Sequence, residues 1–178
     1  YSSCHTMLNR RYDMKNFNPL CYVVNHSPSA VACVYGSENY SDIKGKVLFY
    51  QLRNCVIVRV EVIGLPKCNN VCESPIFAFH IHKGDECTGD KSDSFKNSGT
   101  HYNPNDCKHP YHAGDMPPLM GTKGKAFSVF MTDRFTVKEI IGKTVIIHLC
   151  PDDFVTQPSG NSGEKIACGV IKHNCNKR

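Results

Sequence analysis

Short runs of alternating hydrophobic and polar residues, rich in Val, Ile and aromatic side chains, recur along most of this chain. The clearest is 56–63, in which valines at every second position face one way while Arg59 and Glu61 face the other. Such alternation, bounded by Gly, Asn and Asp, is typical of strands joined by turns. The pattern predicts strands over 29–35, 45–51, 56–63, 76–82, 125–131, 145–149 and 166–171.

Two long segments between the predicted strands, 85–120 and 150–164, are rich in Gly, Asn, Asp and Pro and are predicted to be irregular loops. One helical turn at most is predicted, within 133–141. Seven or eight short strands in one domain predict an all-β fold, an eight-stranded antiparallel Greek-key β-barrel or sandwich. Because loops too long for ordinary hairpins are usually functional in a compact domain, we expect the functional site in these two loops.

The first 28 residues lack a hydrophobic period and predict an N-terminal extended arm ahead of a single domain over 29–178. The chain opens with Tyr1 rather than Met, so we expect either processing or added residues. A natural start at Met7 would make residues 1–6 foreign to the protein. No signal-peptide pattern is visible, which leaves open a cytoplasmic location or export with the signal removed.

The formal charge of +5 is spread along the chain, with a small basic cluster only at Lys172, Lys177 and Arg178. A nucleic-acid-binding chain would show a basic stripe interleaved with aromatic residues, so we expect no nucleic-acid partner. No run approaches the roughly 18 apolar residues that a membrane span needs, so no membrane association is expected either.

The chain has eleven cysteines, an odd number, so at least one stays unpaired. Cys68 and Cys72 have a spacing compatible with a zinc knuckle. No second pair follows at matching spacing, however, and free buried thiols or a local disulfide are the favoured interpretation.

Six of the nine histidines and one aspartate fall in an order that predicts two adjacent metal sites. His80 and His82 are two apart on a predicted strand, so both side chains project from one face, and His148 on another strand can supply a third ligand. Neutral imidazole is the commonest protein ligand for zinc and copper. The first long loop adds three imidazoles and a carboxylate, a natural tetrahedral zinc set, from His101, His109, His112 and Asp115.

Each of these features has a simpler interpretation when it is taken alone. A strand histidine such as His148 is more often a hydrogen-bonded structural residue, and a polar loop can carry histidines by chance. A metal would, however, order a turn-rich loop that cannot form a core of its own.

From Ser29 to Lys172 the chain resembles the copper/zinc superoxide dismutases, and its details are most similar to short-loop bacterial members. The sequence Phe-His-Ile-His at 79–82 is similar to the family's copper-binding strand. Gly-Thr-His-Tyr-Asn-Pro at 99–104 resembles the segment whose histidine bridges copper and zinc, and 160–170 resembles the closing motif.

This resemblance implies the site residues. The implied copper ligands are His80, His82, His101 and His148, and the implied zinc ligands are His101, His109, His112 and Asp115. It further implies that the Asp152 carboxylate joins a copper-ligand histidine to a zinc-ligand histidine, and that Cys87 and Cys168 form a disulfide. Closing a loop of about 80 residues would stabilise the fold by about 4 kcal/mol in the chain-entropy model.

The resemblance also implies the function, a superoxide dismutase that disproportionates superoxide to dioxygen and hydrogen peroxide by copper redox cycling. His101 and Lys165 are the implied catalytic residues: His101 would release copper on reduction and carry a proton, and zinc would hold and tune it. Lys165 stands where the family usually has an arginine, so the attracting charge is kept but the planar fork of donors is lost.

Some features depart from the family pattern or leave alternatives. The loop between His148 and Lys165 is shorter than in typical eukaryotic members, and only Pro110 and Tyr111 separate His109 from His112. The alternative function is a non-enzymatic copper/zinc store or delivery protein on the same fold. A purely structural zinc-clipped domain would leave the strand histidines unexplained. An exposed apolar strand face could form a homodimer, which the sequence does not locate.

Overall fold

Eight antiparallel strands form one sheet in the computed structural model, which describes residues 17–67 and 75–174. The strands are β1 (Ala30–Gly36), β2 (Lys44–Gln51), β3 (Val56–Ile63), β4 (Ile76–His82), β5 (Asp115–Met120), β6 (Lys125–Thr132), β7 (Thr144–His148) and β8 (Lys165–His173). Their order in the sheet is β5-β4-β7-β8-β1-β2-β3-β6.

The two end strands of this sheet, β5 and β6, contact each other, so the sheet curls into a nearly closed barrel. Strands β3 and β4, and likewise β6 and β7, are consecutive in the sequence but are not neighbours in the sheet, which is the crossover of a Greek key. The predicted all-β antiparallel fold is confirmed.

The barrel interior is filled by the alternate residues that the sequence pattern predicted. The four valines of β3 at 56, 58, 60 and 62 are buried in the main core, while Arg59 and Glu61 lie outside and form an ion pair. On β4 the inward residues are Phe77, Phe79 and Ile81. The intervening residues of β4 therefore face out of the barrel, and this outward face carries the candidate site.

The predicted N-terminal arm is not extended throughout, since Pro19–Asn25 forms the helix α1. The Asn18 side chain caps it by accepting a hydrogen bond of 3.1 Å from the Cys21 N–H group, and Pro suits the first turn. Val23 is buried with Tyr50 and Ile57 on the outside of the barrel. The prediction of an extended arm is wrong here because packing, not periodicity, stabilises so short a helix. Residues 1–16 of the arm lie outside the described residues.

The predicted loop over 85–120 ends in a strand, β5, which pairs with β4 and places Asp115 opposite His80. The prediction was wrong over these residues because Pro117 and Pro118 are adjacent within β5. Proline is tolerated in strands at a sheet edge, and β5 is an end strand of the sheet. The single predicted helical turn is confirmed as α2 (Val137–Ile140).

Cys87 and Cys168 form a disulfide that ties the first long loop to β8. The cysteines at 21, 33, 55, 107 and 150 are free and none of them is buried. Cys68 and Cys72, whose spacing is compatible with a zinc knuckle, lie outside the described residues. Among the described helices, none is long and apolar enough to cross a membrane.

Candidate metal centre

The strand histidines lie on adjacent strands and face outward from the barrel. β4 pairs with β7, with Phe79 opposite Ile147. Since both of these residues belong to the core, the histidines that follow them, His80 on β4 and His148 on β7, project to the outer face, as does His82. All three are nevertheless buried, because the two long loops cover that face.

Backbone hydrogen bonds hold the first long loop against β4. The Tyr102 N–H donates to Ile81 O at 2.8 Å, the Ile81 N–H donates to Gly114 O at 2.9 Å, and the Gly114 N–H donates to Tyr102 O at 2.8 Å. These three residues neighbour ligand candidates in the sequence, so His101 and Asp115 are fixed next to the strand histidines. A side chain at Gly114 would come within 2.3 Å of Ile81 O, which explains the glycine.

A first cluster consists of four buried imidazoles, each with one nitrogen within 4.8 Å of the others: His80, His82, His101 and His148. Two of its nitrogens, His82 Nε2 and His148 Nε2, are 3.3 Å apart. His82 Nδ1 lies 2.8 Å from Gly99 O and His148 Nδ1 lies 3.3 Å from Gly163 O. Since a carbonyl only accepts, each Nδ1 carries the proton and each Nε2 is a bare acceptor. Two bare acceptors that face each other fit a cation bound between them.

Burial keeps three rings of this cluster neutral, those of His80, His82 and His148. Burial lowers the pKa of His82 well below its ordinary value, and it lowers the pKa of His148 to about 3. Burial also lowers the pKa of His80, against a smaller opposing effect from Asp152. Neutral imidazole is the form that binds metals, so the cluster is prepared for a cation without first losing protons.

A second cluster brings together His101, His109, His112 and Asp115, all buried. The Nδ1 atoms of the three imidazoles lie 2.7, 3.0 and 3.3 Å from the nearest carboxylate oxygens of Asp115. Two of them, in His101 and His112, are 3.4 Å apart. Zinc ligands about 2.0 Å from a tetrahedral ion are about 3.3 Å from one another, so this spacing fits zinc.

The charge state of Asp115 also suits a metal ligand. Burial raises the pKa of this carboxyl, but the hydrogen bond with His101 and the nearby charges of His101, His112 and His109 together hold it below its ordinary value. A carboxylate therefore faces the three imidazoles at neutral pH.

Asp152 joins the two clusters. Its carboxylate accepts from His80 Nε2 at 2.8 Å and from His109 Nε2 at 2.8 Å. Each ring therefore presents a bare Nδ1, and both of these atoms are buried without a hydrogen-bond partner in the described residues. His109 Nδ1 instead lies 3.0 Å from an oxygen of Asp115, another acceptor. Burial raises the pKa of Asp152, but the hydrogen bonds from His80, the Phe154 N–H and His109 outweigh it and keep the group ionised.

His101 belongs to both clusters. Its Nδ1 is 2.7 Å from Asp115 Oδ1, whereas its Nε2 is buried on the side of the first cluster with no partner in the described part of the chain. The unpaired nitrogens of His80, His101 and His109 cost free energy in a protein interior unless an ion binds them. The donor sets therefore fit two metal ions that share His101.

A cavity of 380 Å³ opens onto the first cluster and is lined by His82, His101, His148 and Lys165 among others. Lys165 pairs with His148 across β7 and β8. Its Nζ donates to Asp93 Oδ2 at 2.8 Å and to Phe95 O at 3.2 Å. The lysine predicted to attract the substrate thus lies at the cavity, and it carries an acidic partner that the sequence analysis did not identify.

Two other residues of the site were missed by the sequence analysis. Arg134 Nη1 donates to Pro110 O, His112 O and Asp115 O at 3.1, 3.3 and 3.1 Å, and so fastens the loop of the second cluster. Gly160 has φ +67°, and a side chain there would lie 2.0 Å from Asp152 Oδ1. Gly160 lies in the segment that resembles the closing motif, and this resemblance could have identified it. The contacts of Arg134 are with backbone carbonyls, which leave no pattern in the sequence.

Comparison with known proteins gives consistent results. Residues 43–171 match the family model for copper/zinc superoxide dismutase (SODC). "Superoxide dismutase [Cu-Zn] 2" of Aquifex aeolicus (strain VF5) is 32% identical over 146 residues, which cover 74% of this chain and 80% of that protein. "Superoxide dismutase [Cu-Zn] 1" of the same organism is 34% identical over 143 residues, which cover 72% and 79%.

Proposed function

Because the chain belongs to the copper/zinc superoxide dismutase family and is therefore an enzyme that uses copper and zinc to disproportionate superoxide, we propose which side chains hold each metal. Copper binds His80, His82, His101 and His148, and zinc binds His101, His109, His112 and Asp115. The observation that carries this proposal is that His101 turns one ring nitrogen to each cluster. Imidazole ligands suit copper, and a closed set of three imidazoles and a carboxylate suits zinc.

Copper held by the first cluster would supply the redox chemistry by which two superoxide ions become dioxygen and hydrogen peroxide. Peroxide formation consumes two protons, and His101, which lines the cavity, can hold one of them on Nε2, since this nitrogen has no hydrogen-bond partner in the described residues. The Asp115 carboxylate fixes this ring through Nδ1, and zinc held by the second cluster would hold it further, so that the ring keeps its position when the proton leaves.

Other residues of the chain orient the ligands and admit the substrate. Asp152 accepts the Nε2 protons of His80 and His109 and thereby directs both Nδ1 atoms to the metals. Lys165 provides a positive charge on the cavity wall, where the anion superoxide enters.

Family membership favours the enzyme over the alternative of a non-enzymatic metal store. The cavity supports the same choice, because it gives a small molecule access to His101 and His148, whereas a store would gain from closing both clusters.

Two matched variants test the ligand assignment, with metal content measured by elemental analysis and superoxide loss by pulse radiolysis. His82→Ala removes a ligand of the first cluster alone and is expected to lose copper and keep zinc. His112→Ala removes a ligand of the second cluster alone, and its zinc content is expected to fall more than its copper content. Equal zinc content in His112→Ala and the parent would contradict its role as a ligand. No copper-dependent loss of superoxide by the metal-loaded parent would contradict the activity.

A further inference from the structure

Lys165 is the one Lys, Arg, Asp or Glu side chain among the described residues that line the cavity above the first cluster. Apart from the metals themselves, its ammonium group is thus the charge that an entering anion meets at the wall. Cavities lined by one sign of charge concentrate ions of the other sign and raise their association rates. Whatever neutralises Lys165 therefore sets how strongly the cavity attracts an anion.

The Asp93 carboxylate neutralises the positive charge of Lys165. The ion pair joins Lys165 Nζ to Asp93 Oδ2 at 2.8 Å, with 15% of the lysine side chain and 35% of the aspartate side chain exposed. The cationic head also donates to Phe95 O, so two of its three donors are occupied. A neutral pair attracts an anion less strongly, and over a shorter distance, than a free ammonium group does.

The position of Asp93 is fixed by the fold. Its second oxygen, Oδ1, accepts a hydrogen bond of 3.0 Å from the Phe95 N–H. Phe95 is buried against Ile146 and Cys168, and the Cys87–Cys168 disulfide ties the same loop to the strand that carries Lys165. The Asp93 carboxylate is therefore held in place beside Lys165 by the fold and is not a mobile surface acid.

We propose that Asp93 is a positioning residue that sets the anion affinity of the copper site by holding Lys165 in a neutral ion pair at the cavity wall. The ion pair with Asp93 holds the flexible Lys165 side chain in one position, where the family usually has an arginine. Because the pair is neutral, it attracts superoxide less strongly than a free lysine would. This inference rests on the proposed copper site and deepens it.

The test uses copper- and zinc-loaded protein and azide, a small monovalent anion, titrated by the visible absorption of copper(II). Asp93→Asn removes the charge and keeps an oxygen for the Phe95 N–H. We expect its dissociation constant for azide to be roughly two- to tenfold lower at low ionic strength, the scale of a modest steering effect. The kcat/KM for superoxide should fall more steeply with added salt than in the parent.

Asp90→Asn is the matched control, because it removes the same charge from the same loop but from a residue that pairs with Lys96. Its amide oxygen can still accept the hydrogen bonds that Asp90 Oδ1 receives from Ser92 and from the Asp93 N–H, so the loop around Asp93 is kept. Asp90→Asn should leave azide binding close to that of the parent. Asp93→Glu keeps the charge and should also stay close to the parent.

Unchanged or weaker azide binding in Asp93→Asn would overturn the inference, as would an equal gain in Asp90→Asn. Asp93→Ser gives a second removal of the charge should the amide disturb the loop, and copper content is measured for every variant. A parent without dismutase activity would instead refute the proposed function. An active parent with identical azide affinity in both asparagine variants refutes only the role of Asp93.

Discussion

At the scale of single residues, Asp152 holds one imidazole of each proposed metal site through its two carboxylate oxygens. The hydrogen bonds decide which nitrogen of each ring carries a proton, and hence which nitrogen is free to bind a metal. Asp153, the next residue, is a loop acid whose carboxylate accepts only from Val155 and Thr156 nearby.

Replacing Asp152 by Asn is expected to weaken the binding of both metals by about 10- to 100-fold, the usual effect of removing a group that orients metal ligands. An amide has one acceptor oxygen, so it cannot receive both ring protons. Competition with chelators of known affinity measures the loss for copper and zinc separately. Asp153→Asn is the control and should bind both metals as the parent does; equal losses in the two variants would refute the orienting role.

Gly160 sits against Asp152, and Gly160→Ala is expected to destabilise the protein and to reduce its metal content. The added methyl group would overlap the Asp152 carboxylate. The alanine would also have to keep the backbone angle φ of +67°, which is strained for a residue with a side chain. Gly142→Ala isolates the backbone effect, since Gly142 has φ +82° with nothing within 4 Å of the new atom. We expect about 1–2 kcal/mol of lost unfolding free energy for Gly142→Ala. Gly160→Ala should lose more, and it alone should lose metal in elemental analysis.

Ligand residues were predictable from the sequence because imidazoles in such an order seldom occur together without a metal to bind. Asp93 and Arg134 were not, because an ion pair spanning 72 positions and a guanidinium bound to backbone carbonyls leave no local pattern. The metal assignments themselves stay predictions until metal content is measured.

At the scale of elements, the strands β3 and β4 begin and end at the predicted residues, since both are runs rich in β-branched or aromatic residues and both are followed by a glycine within two residues. The errors fell where tertiary contacts decide the conformation. β5 contains two consecutive prolines and exists because β4 pairs with it, and α1 exists because Val23 packs on Ile57. Neither interaction is visible in the local sequence.

Arg134 connects the segment before α2 to the short loop of the second cluster, and Arg134→Ala is expected to speed the loss of zinc. Nη1 carries two hydrogens, which the three carbonyls share, and a hydrogen bond from a charged donor is worth about 1.5–3 kcal/mol, so losing these contacts predicts at least a tenfold faster release. Release is followed with a colorimetric zinc chelator. Lys138→Ala, which removes an exposed charge from α2, is the control and should release zinc at the rate of the parent.

At the scale of the whole molecule, the barrel core and the metal-bearing loops have different sources of stability. The core is a continuous set of buried apolar side chains, whereas the loops have one small cluster around Phe95 and the Cys87–Cys168 disulfide. The loops also hold buried nitrogens that lack protein partners among the described residues.

Removal of both metals is therefore expected to lower the Tm and to loosen the loops while β2, β3 and β6 stay protected. A ligand present at about 1,000 times its Kd contributes about 4 kcal/mol, so the shift should be large. Calorimetry measures the Tm, and amide hydrogen exchange locates the change. Equal loss of protection from amide exchange in the loops and in these three strands would show that the loops and the barrel core do not differ in their dependence on metal.

Since His101 and Asp152 each contact both clusters, occupation of one metal site changes the free energy of filling the other. An ion in the second cluster fixes His101 and His109, and through Asp152 it orients His80 for the first. Thermodynamic coupling of this kind is reciprocal, so copper must favour zinc by the same factor by which zinc favours copper. The two ions then load cooperatively, and a shortage of either metal weakens the binding of the other.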